Sequence, residues 1–149
     1  DDTIWALNKD ALTLTAISDR LKIFARRMKA SYPNIDLDVE ENITNDISLP
    51  PTQAFHLFQV IQEAVVNAMK HSGGSGVKIL LETTNSWRVS IADNGTGIKT
   101  GSSSKGMGGN GLTNMRNRAA SAGWQLYWEP ATPGTRVIIE PVAKNGTTN

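Results

Sequence analysis

The fold is decided by the stretch Gln62-Glu63-Ala64-Val65-Val66-Asn67-Ala68-Met69-Lys70-His71. It is the second half of a segment with helical apolar periodicity, 52–72, which Pro50-Pro51-Thr52 opens as a helix start. At about 100° of rotation per residue, its polar side chains share one narrow strip and the apolar ones the opposite side. The strip consists of Glu63, Asn67, Lys70 and His71. An ordinary solvated helix face has a similar composition, so the strip alone decides nothing about function.

A carboxylate lies at the end of the apolar strand that follows. Trp87, Val89 and Ile91 alternate onto one face of a predicted strand over 87–93, and Asp93 points the same way. A carboxylate on an apolar face needs hydrogen-bond donors, because its desolvation is costly. The turn signal Asn94-Gly95 leaves two interpretations open: Asp93 caps its own turn, or it accepts from the amino group of a ligand.

A glycine-rich segment, 94–111, contains seven of the 13 glycines and is predicted to be mobile. Its end, Gly106-Met107-Gly108-Gly109-Asn110-Gly111, precedes a predicted helix over 112–122. Such glycines let a backbone approach phosphates at a helix N-terminus. The pattern formally matches a dinucleotide fingerprint, but the preceding strand ends near Asp93 instead of directly before the first glycine, so that interpretation fails.

Other catalytic signatures are missing from the sequence. A P-loop would need lysine where Met107 stands, and neither an H-E-x-x-H motif nor a G-x-S-x-G elbow occurs. There is no cysteine, and the two histidines, His56 and His71, are too few for a histidine-rich metal site. The formal net charge of +1 argues against binding nucleic acid by bulk charge.

The remaining patterns complete one α/β domain. With 149 residues, of which 39% are hydrophobic, the chain is long enough to bury a core. A helix is predicted over 3–30, and strands over 35–39, 77–83, 124–129 and 135–141 in addition to 87–93. We therefore predict a two-layer α/β sandwich with a mixed sheet of about five strands and three helices on one face.

The domain boundaries are also predicted from these patterns. Residues 1–30 form a lead-in helix, 31–143 the domain itself, and 144–149 a frayed tail. Because the sequence starts at Asp1 without a signal-peptide pattern and contains no apolar run of about 20 residues, we expect a soluble fragment of a longer protein.

Three elements in this order resemble a known ATP-binding fold: the helix strip, Asp93-x-Gly95-x-Gly97, and the glycine loop ending in Leu112. It is shared by gyrase-type topoisomerases, heat-shock chaperones, sensor histidine kinases and mismatch-repair ATPases. The stretches 62–71 and 109–119 are most similar to kinases typified by nitrate sensors. The resemblance covers about residues 50–141 and implies a Bergerat-type fold.

The resemblance implies roles for the polar strip in binding ATP and Mg²⁺. Asn67 would ligate the magnesium ion, and Glu63 would orient its waters or the attacking group. Lys70 and His71 would reach phosphate oxygens. Asp93 would accept a hydrogen bond from the exocyclic amine of adenine.

It also implies a nucleotide lid over 98–111 and a set of backbone contacts. Gly95 and Gly97 would admit the base, Thr135 would lie near the adenine pocket, and Gly109 and Gly111 would lie against the phosphates. The other implied nucleotide-binding residues are Ile98, Gly106, Gly108 and Leu112. The lid lacks the phenylalanine that some other kinase branches have there.

The resemblance implies partners outside this chain. The phosphorylated histidine of such kinases lies on a dimerisation hairpin beside an acidic residue, whereas Leu57-Phe58 follow His56 here. We therefore expect a cytoplasmic catalytic domain whose homodimeric, membrane-anchored parent carries the acceptor and acts on a response regulator. Two alternatives stay open: an ATPase of the same superfamily, in which Glu63 activates water, and a non-catalytic nucleotide-binding module.

Overall fold

The computed structural model describes residues 11–95 and 109–143, with side chains from 113 onward in the second range. Within these ranges the chain forms three helices and seven strands. In chain order they are β1 (Leu12–Thr13), α1 (Leu14–Ser31), β2 (Asp36–Asn42), β3 (Ser48–Leu49), α2 (Pro51–His71), β4 (Gly76–Thr83), β5 (Trp87–Asp93), α3 (Gly109–Ser121), β6 (Trp124–Pro130) and β7 (Thr135–Pro141).

Five of the strands form one mixed sheet in the order β2-β4-β5-β7-β6. The β2–β4 pair is parallel, and the other three pairs are antiparallel. The parallel pair requires a long crossover, which contains α2. Short turns join the hairpins β4–β5 and β6–β7, whereas the connection between β5 and β7 includes α3 and β6. This arrangement confirms the predicted α/β sandwich.

The core lies between the helices and one face of the sheet. Each helix contributes fully buried apolar side chains, for example Ile17 of α1, Ile61 of α2 and Ala119 of α3. The sheet contributes alternate residues such as Ile79 and Val89. Because the apolar stripe of every helix meets the same face, the two layers share a single core.

The predicted helix over 3–30 begins later in the described part of the chain, at Leu14. Leu12 and Thr13 pair with β3 instead, and Thr13 caps the helix by accepting a hydrogen bond from the Ala16 N–H at 3.0 Å. Residues 3–10 lie outside the described ranges. The helical stripe in the sequence starts at Leu14, so the extension before it had no periodic support.

Two other boundaries differ from the prediction. β2 runs on to Asn42, because all seven of its residues pair with β4, although its polar second half shows no apolar alternation. α3 already begins at Gly109 within the glycine-rich segment. The predicted strands over 77–83, 87–93, 124–129 and 135–141 are confirmed to within one residue.

Candidate functional site

A cleft opens between α2 and the sheet at the end of β5. It is narrow, with a cavity volume of about 30 Å³. Asn67 and His71 reach it from α2, Asp93 from β5 and Thr135 from β7. Residues that lie up to 68 positions apart in the sequence therefore meet in one place.

The walls of this cleft are mostly apolar. Ile91 and Val137 lie side by side on adjacent strands, and Ala64, Ala68 and Met115 come from the two helices opposite. Flat apolar walls with a few polar groups at one end suit a planar ring that carries a hydrogen-bonding substituent.

Asp93 marks the polar end of the cleft. Its Oδ1 accepts a hydrogen bond from the Gly95 N–H at 2.9 Å, so the interpretation that it caps its own turn is confirmed. Its Oδ2 has no hydrogen-bond partner among the described residues. The two interpretations are thus compatible, because one oxygen holds the turn while the other remains open to a donor in the cleft.

Asn67 presents an unpaired amide to the same cleft. Its Nδ2 is fully buried and has no hydrogen-bond partner in the part of the chain that the structure describes. Leaving a buried donor unsatisfied costs about 1–3 kcal/mol. The two ends of an amide exchange by a half-turn about its χ2 bond, so this side chain can offer either a donor or an acceptor oxygen to a ligand.

The other residues of the predicted strip lie beside the cleft. Glu63 is half-buried one turn before Asn67, and Lys70 is exposed one turn after it. Neither is among the residues that line the cleft, whereas the exposed His71 is. The functions proposed for Glu63 and Lys70 therefore depend on a ligand that extends out of the cleft along α2.

The glycine-rich segment is described only in part. Gly97, Ile98, Gly106 and Gly108, with most of the predicted lid, lie outside the described residues. Gly109, Gly111 and Leu112 form the first turn of α3. The first backbone N–H groups of a helix have no partner within it, which makes this turn suitable for an anionic group.

The sequence did not reveal how the two ends of the cleft are joined. Asn94 Oδ1 accepts hydrogen bonds from the N–H groups of Ser75 at 2.8 Å and Gly76 at 2.9 Å, and Asn94 Nδ2 donates to Ser75 Oγ. These bonds tie the segment after α2 to the end of β5. The Asn-Gly signal predicted a turn here but gave no sign of its partners.

A second close contact comes from the turn before β7. Gly134 has φ +102°, and a Cβ there would overlap the Asp93 carbonyl oxygen. Its neighbour Thr135 is paired with Asp93 across the strands. The Pro133-Gly134 turn thus fixes Thr135 beside the carboxylate, which a sequence pattern cannot show because the two are 42 positions apart.

The fold is shared with solved domains of known kinases. The chain superposes on the ATP-binding domain of PrrB from Mycobacterium tuberculosis with a TM-score of 0.70 and 23% identity, covering 91% of this chain and 98% of that one. It superposes on the catalytic domain of histidine kinase ThkA with a TM-score of 0.67 and 20% identity, covering 91% of this chain and 97% of that one. At such identities the likeness shows the fold alone, which is that of histidine kinase ATP-binding domains.

The sequence comparison then gives the family. Residues 52–145 match the model described as "Histidine kinase-, DNA gyrase B-, and HSP90-like ATPase", which is more than half of the chain, so the chain belongs to that family. The family resemblance stated from the motifs is confirmed.

Its curated relatives are sensor kinases. The chain is 38% identical over 96 residues to the nitrate/nitrite sensor protein NarQ of Escherichia coli, covering 62% of this chain and 17% of NarQ. It is 31% identical over 137 residues to the signal transduction histidine-protein kinase/phosphatase UhpB of Salmonella typhimurium, covering 87% and 25%. The chain thus spans about a quarter or less of these relatives. None of the helices in the described ranges is long and apolar enough to cross a membrane.

Proposed function

We propose that this chain is the catalytic ATP-binding domain of a two-component sensor histidine kinase, which transfers the γ-phosphoryl group of ATP to a histidine on a separate dimerisation hairpin. The observation that carries the proposal is the meeting of Asn67, Asp93 and Thr135 in one cleft of a domain of this ATPase family. Its sensor-kinase relatives favour transfer to histidine over simple hydrolysis.

The apolar part of the cleft would hold the adenine ring. Ile91, Met115 and Val137 supply its walls, and Asp93 Oδ2 would accept a hydrogen bond from the exocyclic amine. Guanine carries a carbonyl oxygen at the corresponding position, which a carboxylate repels. The site should therefore select ATP over GTP.

Asn67 would lie at the phosphate end and hold Mg²⁺ through its amide oxygen. The residues fit such an ion, because Asn67 Nδ2 is buried without a hydrogen-bond partner among the described residues and a half-turn about χ2 brings the amide oxygen to the same place. Magnesium usually takes one or two protein ligands together with phosphates and waters. When bound, it would neutralise charge on the phosphate oxygens.

The rest of the α2 strip would position the reacting groups. Lys70 and His71, near the C-terminal end of α2, would contact phosphate oxygens, and Glu63 would orient water on the metal or the attacking imidazole. The first turn of α3 would add backbone N–H groups. In the transfer itself, the bond from the γ-phosphorus to the ADP oxygen breaks and a bond to an imidazole nitrogen forms, which demands mainly positioning and charge neutralisation.

We further propose the partners and setting of the parent protein. It would be a homodimer that carries the histidine hairpin, is anchored in the cell membrane and passes the phosphoryl group to a response regulator. The domain itself would act on the cytoplasmic side, where ATP and response regulators are found. These proposals rest on the sensor-kinase relatives, of which this chain covers only a part.

A transfer assay tests the proposal. The chain is incubated with Mg²⁺, γ-labelled ATP and a separately prepared hairpin from a related sensor kinase, and the label is followed on the hairpin. We expect acid-labile label on the hairpin, its loss in Asn67→Ala, and its retention in the matched control Asn85→Ala, which changes an exposed turn residue. Phosphate release without labelled hairpin would favour the ATPase alternative, and binding without either product the non-catalytic one.

A further inference from the structure

Helices α2 and α3 pack in opposite directions, and three contacts set their register. Met115 faces the level of Ala64 and Asn67 in the cleft. One turn later, Arg118 Nη1 donates to Gln59 Oε1 at 2.7 Å. At the end of α3, Gln53 Nε2 donates to the Ala122 carbonyl oxygen at 3.0 Å.

Glu63 therefore lies between the levels at which Met115 and Arg118 meet α2. It follows Gln59 by four residues, a spacing that puts two side chains about 6 Å apart on one helix face. Glu63 is half-buried and has no hydrogen bond or ion pair with any described residue.

Arg118, which contacts α2 at Gln59, has an N–H donor without a partner among the described residues. Its Nε is fully buried and has no hydrogen-bond partner among the described residues, although Nη1 is bound to Gln59. A guanidinium offers five N–H donors in a rigid fork, and its most favourable partner is a carboxylate. The guanidinium with this unpaired donor is thus held at Gln59, one helical turn before the unpaired carboxylate of Glu63.

We infer that Arg118 is a positioning residue: when nucleotide fills the cleft, its guanidinium keeps Gln59 and also pairs with Glu63, which fixes that carboxylate toward the phosphates. The inference rests on the proposed function, because Glu63 acts there at the phosphate end. Nucleotide controls the pairing through Met115, which forms a wall of the cleft three residues before Arg118 on the same helix.

A purely structural role explains the arrangement less well. Ala119 is fully buried, and the bond from Gln53 to Ala122 already fastens the end of α3. An arginine needed only to hold α3 against α2 would not leave Nε buried and unpaired, since an unsatisfied buried donor costs free energy without adding a contact. Arg116 provides the matched control, because its guanidinium lies over the Trp128 ring at 5.1 Å and not toward α2.

A double-mutant cycle tests the pairing. Calorimetry measures the affinity of the chain for Mg²⁺ with a non-hydrolysable ATP analogue in wild type, Arg118→Met, Glu63→Gln and the double variant. We expect each single change to weaken binding by roughly three- to tenfold and the double change to weaken it no further than the worse single one. Arg116→Met combined with Glu63→Gln should instead multiply the two separate effects.

The same cycle on the unfolding midpoint separates positioning from structure. Without nucleotide, the effects of Arg118→Met and Glu63→Gln on the midpoint should add, and with saturating analogue they should not. Arg118→Lys, which keeps the charge, should recover part of the affinity and reports on the pairing if Arg118→Met folds poorly. If the affinity losses of Arg118→Met and Glu63→Gln multiplied in the double variant, the inference would be overturned and the proposed function would stand. A wild-type chain that binds no Mg²⁺–nucleotide would overturn both.

Discussion

Gly95 lies directly against the carbonyl group of Ser72, so that a Cβ on Gly95 would overlap both the carbonyl oxygen and the carbonyl carbon. This contact joins the end of α2 to the residue whose N–H holds Asp93 Oδ1. The absence of a side chain at Gly95 is therefore what lets the amide-bearing helix and the carboxylate-bearing strand approach across the cleft.

Gly95→Ala should destabilise the domain by about 1–3 kcal/mol, because the backbone of Ser72 has to move to admit a methyl group. Urea unfolding measures the change. It should also weaken ATP binding, since Asp93 is held by the same turn.

Gly123→Ala is the matched control. Gly123 has φ +87° but no atom within 4 Å of the added Cβ, so only backbone strain of about 1–2 kcal/mol is expected, without an effect on ATP affinity. If Gly95→Ala bound ATP as tightly as wild type, the turn would not be holding the site.

Asp93→Asn should reduce ATP affinity by about 1.5–3 kcal/mol, the range for a hydrogen bond to a charged group. Calorimetric titration with ATP and GTP measures both the loss and the selectivity. Asp38→Asn, an exposed carboxylate on β2, should change neither. Equal affinity of the wild-type chain for ATP and GTP would remove Asp93 from the base site.

Asn67→Ala should abolish the dependence of nucleotide affinity on Mg²⁺, because the ion would lose its protein ligand. Each protein is titrated with ATP once in magnesium and once in EDTA. The two affinities should differ for wild type and for Asn85→Ala, and they should be equal for Asn67→Ala. A magnesium dependence that survives in Asn67→Ala would show that the ion is held elsewhere.

Glu140, on the outer face of the sheet, should make stability depend on acid pH. Burial alone raises the pKa of its carboxyl, but hydrogen bonds from Tyr127, Arg88 and Gln125 outweigh it and hold the pKa below its ordinary value of 4.5. A depressed folded-state pKa stabilises the fold above the ordinary value, and this contribution is lost as the pH falls through the folded value.

Glu140→Gln should therefore lower the free energy of unfolding by about 2 kcal/mol at pH 7, and the difference from wild type should shrink steadily below pH 4.5. Chemical unfolding at several pH values measures it. The control is Glu129→Gln. Glu129 and its partner Arg136 are both well exposed to solvent, so this change should lower the free energy of unfolding little at any pH. A difference that stays constant from pH 7 to pH 3 would contradict this account.

Much of the fold could be predicted because its patterns are local. The alternation from Trp87 to Ile91 and the helical stripe from Ala54 to Met69 each lie within one element, and both elements formed where predicted. The predicted helix start at residue 3 and strand end at residue 39 were wrong, because pairing with a distant strand places Thr13 in β1 and extends β2 to Asn42. No local pattern records such pairing.

The polar residues of the candidate site could be predicted from the sequence, whereas the loop contacts that hold them in place could not. Asn67 was conspicuous as part of the polar strip on α2, and Asp93 because it continues an apolar alternation with a group that needs a partner. The bonds of Asn94 to Ser75 and Gly76, and the contact of Gly134 with Asp93, depend on how separate loops meet in space. Met115 went unnoticed because a methionine in a helix is usually an ordinary core residue.

The most direct test is a crystal structure of the chain with Mg²⁺ and a non-hydrolysable ATP analogue. We expect the adenine amine within hydrogen-bonding distance of Asp93 Oδ2, the ring between Ile91 and Met115, and the metal on the Asn67 amide oxygen. An analogue bound at another surface, with this cleft closed and filled by the protein's own side chains, would contradict this expectation.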